Sequence, residues 1–241
     1  MIYTVLRYVC VSLLVLCPVR ATVIALMYGK DGIWAAADTK LQNVPAVPYG
    51  CKVYAREAMI IVVGGQYLFE FPSLNLGHVF QRSYGRTPLA IVDSTARLIQ
   101  DGLNATTNTV IQQRFQFAVA FIGWYTDGKP QLRELVVKRN DGPAFGATAT
   151  IYTPAQDAKN CTVAPVGGFD GGCIFDPNSD PATSRGILQL LSSVSPLERL
   201  RSLILKQSQR HPNKVGTAST IFHMTSTGEQ GFIQNCPTAK E

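Results

Sequence analysis

Two apolar runs, Val23–Tyr28 and Ile33–Ala37, stand on either side of Gly29-Lys30-Asp31-Gly32. Asp-Gly between two apolar runs is a strong short-range hairpin signal, because the tight turn needs backbone angles that Asp tolerates and Gly adopts freely. The pairing recurs along the chain. Lys52–Ala55 and Met59–Val63 form a second strand pair, closed by Gly64-Gly65. Phe115–Trp124 and Gln131–Val137 flank the turn Thr126-Asp127-Gly128-Lys129. Thr162–Val166 reads as a short strand ending in Gly167-Gly168, Thr217–Met224 as a late strand, and Gly231–Gln234 as a last short one after Gly228.

Helices separate these groups. Thr87-Pro88 has the form of an N-cap followed by Pro at the first helical position,. Leu89, Val92, Ala96, Ile99 and Leu103 follow at spacings of three and four, the period of an amphipathic helix,. A helix is also expected within Leu68–Gln81, against the resistance of Pro72 and Gly77. Ser195-Pro196-Leu197-Glu198 is a capping box with Pro at N1, and Leu197, Leu200, Ile204 and Gln207 trace one face behind it,. The order is strands, helices, strands, helices, strands. Two antiparallel sheets with helix pairs packed outside them would bury every one of these faces, an α+β arrangement in one domain.

Composition narrows what such a domain can do. With 241 residues, 46% of them hydrophobic and only 16% charged, the chain can bury a large core and does not read as disordered,. The excess of 22 Lys+Arg over 16 Asp+Glu is mild and scattered, so no nucleic-acid partner is expected,. His78, His211 and His223 lie far apart, and no Cys-x-x-Cys pair exists, so neither a metal nor another cofactor is expected,.

Residues 1–21 have the layout of a secretory signal peptide. Arg7 precedes a short apolar run from Tyr8 to Leu16, Pro18 breaks it, and Val19-Arg20-Ala21 offers a cleavage site,. The run is too short for a spanning helix. The expectation is therefore a secreted or periplasmic protein, free of the membrane once the leader is removed, whose mature domain is residues 22–241. Cys51, Cys161, Cys173 and Cys236 remain in it. An even count in an exported chain suits two disulfides, with Cys51 oxidised and three connectivities open. Asn104-Ala105-Thr106 and Asn160-Cys161-Thr162 are glycosylation sequons in a eukaryotic host,.

Cleavage after Ala21 would leave Thr22 with a free α-amine. That one residue then holds both a nucleophile and a base. The amine has an ordinary pKa of about 7.7–8.0, so at neutral pH it can take the hydroxyl proton while Oγ attacks a carbonyl.

The segment Thr22–Lys40, TVIALMYGKDGIWAAADTK, resembles the start of mature proteasome β subunits and of the proteolytic subunit of the bacterial ATP-dependent two-component protease. Both are N-terminal nucleophile (Ntn) hydrolases. The resemblance implies a four-layer α-β-β-α sandwich and a set of catalytic residues. Thr22 would be the nucleophile. Asp38, sixteen residues on, matches the family's active-site Asp. Lys52 matches its active-site Lys, two residues early. Gly65 of Gly64-Gly65 matches the glycine whose N–H meets the oxyanion. Lys52 would favour the unprotonated amine and the developing alkoxide. Asp38 would hold Lys52, and Gly65 would stabilise the tetrahedral intermediate. Because both charged residues are assigned to the nucleophile and not to packing, replacing either is expected to spare the fold.

The match is closest over Thr22–Gly65, and it has gaps beyond. The family often shows Gly-Ser-Gly where this chain has Gly167-Gly168-Phe169. Its Asp-x-x-Ser maps near His211–Gly216, where neither residue is present, and Asp170 is the available substitute. The expected function is cleavage of peptides or small acylated amides, with room for a homo-oligomer and no ATP-driven unfolding partner outside the cell. Two other readings stand beside it: a catalytically silent sandwich used for binding or assembly, and an unrelated disulfide-stabilised binding domain.

Overall fold

The computed structural model describes residues 24–29, 32–40, 50–65, 71–153, 173–175, 195–210, 212 and 215–235. In chain order the elements are β1 (Ile24–Gly29), β2 (Gly32–Asp38), β3 (Val53–Arg56), β4 (Met59–Gly65), α1 (Leu76–Arg82), α2 (Pro88–Asn104), α3 (Thr109–Arg114), β5 (Phe117–Thr126), β6 (Lys129–Arg139), β7 (Ala147–Tyr152), β8 (Cys173–Phe175), α4 (Pro196–Arg210), β9 (Ser219–Met224) and β10 (Gln230–Gln234). They form two five-stranded sheets, ordered β10-β9-β2-β1-β8 and β3-β4-β5-β6-β7. Every neighbouring pair is antiparallel.

Side-chain alternation divides the core into three. Ile24, Leu26, Ile33, Ala35 and Ala37 of the first sheet meet Val53, Ile60, Val62, Val119 and Phe121 of the second. The residues between them point the other way. Ala25, Met27 and Ala36 pack on Leu200, Leu203 and Ile204 of α4. Ile61, Val63, Ala118, Ala120 and Ile122 pack with Val79 and Phe80 of α1 and with Ile91, Val92, Ile99 and Leu103 of α2. The central strands are thus buried on both faces. That is why they read as unbroken apolar runs and not as alternating ones. Each buried aliphatic side chain contributes about 1.5–3 kcal/mol by leaving water, and β4 alone carries Met59, Ile60, Ile61, Val62 and Val63, all buried.

Helix starts follow local chemistry. The Thr87 side chain accepts from the Ala90 N–H at the head of α2. The Ser195 hydroxyl accepts from Glu198 N at 3.3 Å at the head of α4. The Glu198 carboxylate pairs with Arg201 at 3.1 Å. Among the described residues no helix is long and apolar enough to cross a membrane.

Several elements depart from the sequence expectation. The helix expected within Leu68–Gln81 is shorter and later. It is α1, capped by Asn75, whose side chain accepts from His78 N at 3.2 Å. Pro72 lies in the turn ahead of it, and residues 66–70 are outside the described set. Gly77 sits inside α1 because a Cβ there would fall 2.0 Å from Cε2 of Tyr54. The helix gives up about 0.5–1 kcal/mol of propensity for that close approach. Helix α3 and strands β7 and β8 have no counterpart in the sequence reading. The α3 segment is short and polar, and its start is fixed by Asn108 Oδ1, which accepts from Val110 N and Ile111 N. The strand expected at Thr162–Val166 lies outside the described residues.

Strand β7 is an outer edge, and α2 closes part of it. Asn104 Oδ1 accepts from Ala147 N at 2.7 Å, and Asn104 Nδ2 donates to Ala147 O at 3.2 Å. One helical turn earlier, Gln100 Oε1 accepts from Ala149 N at 2.9 Å. Two side-chain amides thereby stand in for a sixth strand, covering an edge that would otherwise invite pairing with another chain.

Candidate active site

The hairpin register carries Asp38 to the last position of β2, opposite Ser219 of β9. Its side chain is fully buried, at 0% exposure. Lys52 stands just ahead of β3, with 1% of its side chain exposed. Its backbone carbonyl accepts from Val63 N at 2.8 Å. Gly50 N donates to Thr39 O at 2.8 Å, which ties this approach segment to the residue after Asp38.

Among the described residues, a side chain and two backbone groups donate to the Asp38 carboxylate. Lys52 Nζ donates to Oδ1 at 3.0 Å. The backbone N–H groups of Lys40 and Gly216 each donate to Oδ2 at 3.2 Å. Removing two opposite charges from water costs several kcal/mol per ion, and only good geometry with further hydrogen bonds offsets it. The two backbone donors supply those further bonds. Alongside, Thr39 N and Oγ1 both donate to Ala218 O, at 3.1 and 3.3 Å. Lys40 Nζ donates to Pro212 O at 2.8 Å. Gly216 packs so closely that an added Cβ would lie 3.1 Å from the Lys40 Cβ.

Tyr54 buttresses the Lys52 side of the site. Its hydroxyl donates to Cys51 O at 3.0 Å. Burial pushes that hydroxyl from its ordinary 10.0 up to about 12, with the nearby Asn75 amide acting in the opposite direction. A raised pKa means that the folded chain holds this proton more tightly than the unfolded chain does. The stability it contributes is therefore whole below the ordinary pKa and is lost as pH rises through the folded value. Denaturant melts of wild type and Tyr54→Phe should show the wild type's advantage shrinking between about pH 10 and about pH 12. A difference that stays constant across that window would contradict this.

Beyond Val63, β4 runs on for two residues, about 7 Å, to Gly65, which pairs with Ala118. Gly65 has φ +67°, and an added Cβ would lie 2.9 Å from the Phe117 ring and 3.1 Å from its carbonyl oxygen. Both the backbone angle and the space demand glycine there.

Of the residues singled out from sequence, the structure therefore joins Asp38 and Lys52 directly. It sets Gly65 on the strand that bonds Lys52. Thr22, Gly167, Gly168, Asp170, Cys161 and Cys236 lie outside the described residues. Sequence reasoning missed the contribution of the stretch that holds Pro212 and Gly216. It offers neither of the side chains that the resemblance calls for, and reaches the site through the Gly216 N–H and the Pro212 carbonyl. It also missed Tyr54, whose signal was its place two residues after Lys52.

No family model matches the chain, and no curated protein matches it. Among solved structures it is similar to Anbu (ancestral beta-subunit) from Yersinia bercovieri, with a TM-score of 0.55 over 88% of this chain and 87% of that one, at 11% sequence identity. The likeness shows a proteasome-like fold and speaks to the fold alone.

Proposed function

We propose that this chain is an exported N-terminal-threonine amidohydrolase that cleaves peptide or small amide bonds by acyl transfer through Thr22. The observation that carries the reading is the buried Lys52–Asp38 pair at the end of the β1–β2 hairpin. Ile24, where β1 begins, pairs with Ala37, the neighbour of Asp38. Thr22 is two residues before Ile24, and two residues span at most about 7 Å. A buried ion pair is a weak stabilising device, so its position beside the start of the mature domain asks for a chemical use. The helices against the outer faces of the two sheets would complete the four-layer arrangement of Ntn hydrolases.

In this mechanism Thr22 Oγ attacks the carbonyl carbon, and its proton passes to the α-amine. The Gly65 N–H receives the oxyanion. The C–N bond breaks, the leaving amine takes the proton, and an ester on Thr22 remains. Water, deprotonated by the same α-amine, then hydrolyses that ester. Lys52 keeps positive charge close to the alkoxide, and Asp38 holds Lys52. Signal peptidase, cutting after Ala21, would supply the free amine. The same export would oxidise Cys51, and assembly as a homo-oligomer belongs to the same reading.

Intact mass and N-terminal sequencing of exported protein should give Thr-Val-Ile-Ala. Incubation with a β-lactone, which acylates an activated hydroxyl, should add one acyl group on the peptide that begins at Thr22. No adduct, or the same adduct in Thr22→Ala, would turn the case toward a silent sandwich used for binding.

A further inference from the structure

We propose that Tyr54 is a positioning residue for Lys52, acting through the peptide unit that joins Cys51 to Lys52. The inference rests on the function proposed above for Lys52, and its geometry stands apart from that function.

Lys52 precedes the ladder of β3, whose first paired residue is Val53, opposite Val62. Its backbone is held where that ladder opens. Among the described residues two bonds contribute, one on each side of its Cα. On the C-terminal side, the Lys52 carbonyl accepts from Val63 N at 2.8 Å. On the N-terminal side, the Cys51 carbonyl accepts from the Tyr54 hydroxyl at 3.0 Å. A peptide unit is planar, so holding Cys51 O also holds Lys52 N and the line to Lys52 Cα. With both flanking planes held, the direction of the Lys52 Cβ is set. The Nζ then arrives 3.0 Å from Asp38 Oδ1 without having to search.

Tyr54 is itself held from the far side. Its ring fills the space that a Gly77 Cβ would need. It meets the His78 ring edge-on, with centroids 5.7 Å apart. Asn75, which caps α1, is fully buried beside it. Burial keeps the phenol protonated well past neutrality, so it stays a donor at any ordinary working pH. Helix α1 thus reaches the candidate site through one hydroxyl.

Tyr54→Phe removes the hydroxyl and keeps the ring against Gly77. In the full mature protein, two readouts decide the matter. The first is labelling of Lys52 by an amine-acylating ester, followed by mass spectrometry with the exposed lysines as internal reference. The second is kcat and KM on a panel of peptide anilides. Misplacing a catalytic group by about 1 Å can cost about a hundredfold in rate. The expected result is a rise in Lys52 labelling, with kcat down about tenfold or more and KM little changed. Gly77→Ala, which forces the ring to move, should give the same pattern from the helix side. Unchanged Lys52 labelling in Tyr54→Phe overturns the proposal, and so does unchanged kcat in an active protein. If wild type cleaves none of the substrates, the amidohydrolase reading is what has failed, and labelling alone then judges the positioning.

Discussion

A chain with one extra residue ahead of Thr22, produced without any processing, is expected to fold as the mature protein does and to cleave nothing. The extra residue converts the α-amine into an amide nitrogen, which has no basic lone pair. Nothing else in the proposed mechanism accepts the Oγ proton. General-base catalysis commonly supplies about 10²–10⁴ in rate, and losing it at the nucleophile itself should bring turnover to background. Thermal melts should be nearly superimposable with those of the mature form, since the addition lies before β1. Trimming the extra residue with an aminopeptidase should restore activity. Full activity in the extended form, or an exported chain that begins at Val23, would sink the threonine nucleophile.

Lys52→Met should produce the second large effect, on rate and stability together. At 1% and 0% exposure, Lys52 and Asp38 are as buried as the core. Removing one member of such a pair leaves an uncompensated charge and costs about 3–5 kcal/mol. At about 2–4 °C per kcal/mol for a chain of this size, the melting temperature should fall by about 10 °C. This revises the sequence-level expectation that either residue could be replaced without harm to the fold. The rate should fall by about 10²–10³, as for loss of one electrostatic contact at a reacting centre. The double variant Lys52→Met/Asp38→Asn separates the two roles. Without the unpaired charge it should regain most of the stability, because a neutral pair of similar shape can match a buried ion pair. It should regain none of the rate. A double variant that recovers turnover would show the pair to be structural only.

The sheets were legible because burial on both faces leaves a plain trace: MIIVV and FAVAFIGW admit no polar partner, and the Asp-Gly and Gly-Gly turns mark where each run stops. Strand β7 was not legible. Its ATATIY alternates exposed residues with inward ones of which only Ala147 is fully buried, and its edge is held by Gln100 and Asn104 from a distant helix. Gly77 misled for a similar reason, since what it accommodates is the Tyr54 ring on another element. In the candidate site, Asp38 and Lys52 could be picked out through the resemblance that Thr22–Gly65 carries, which supplied the positions to compare. The Gly216 donor could not, because a main-chain N–H carries no residue signature and lies 178 positions from the carboxylate it serves.

The amide clamp on β7 bears on how the protein can be made. Asn104 is also the acceptor of the sequon Asn104-Ala105-Thr106. Like a peptide, a glycosylated amide is trans. The sugar takes the place of the amide hydrogen on the same side as Oδ1. In the folded chain that is the hydrogen facing Ala147, because Oδ1 and Nδ2 of Asn104 grip the N–H and carbonyl of that one residue. A glycan at Asn104 and a closed β7 edge are therefore mutually exclusive. A eukaryotic secretion host that glycosylated the chain before α2 met β7 would release a protein with an unzipped edge strand, prone to self-association. Bacterial export, or Asn104→Asp, would avoid the sugar. Only the bacterial route would keep the clamp intact.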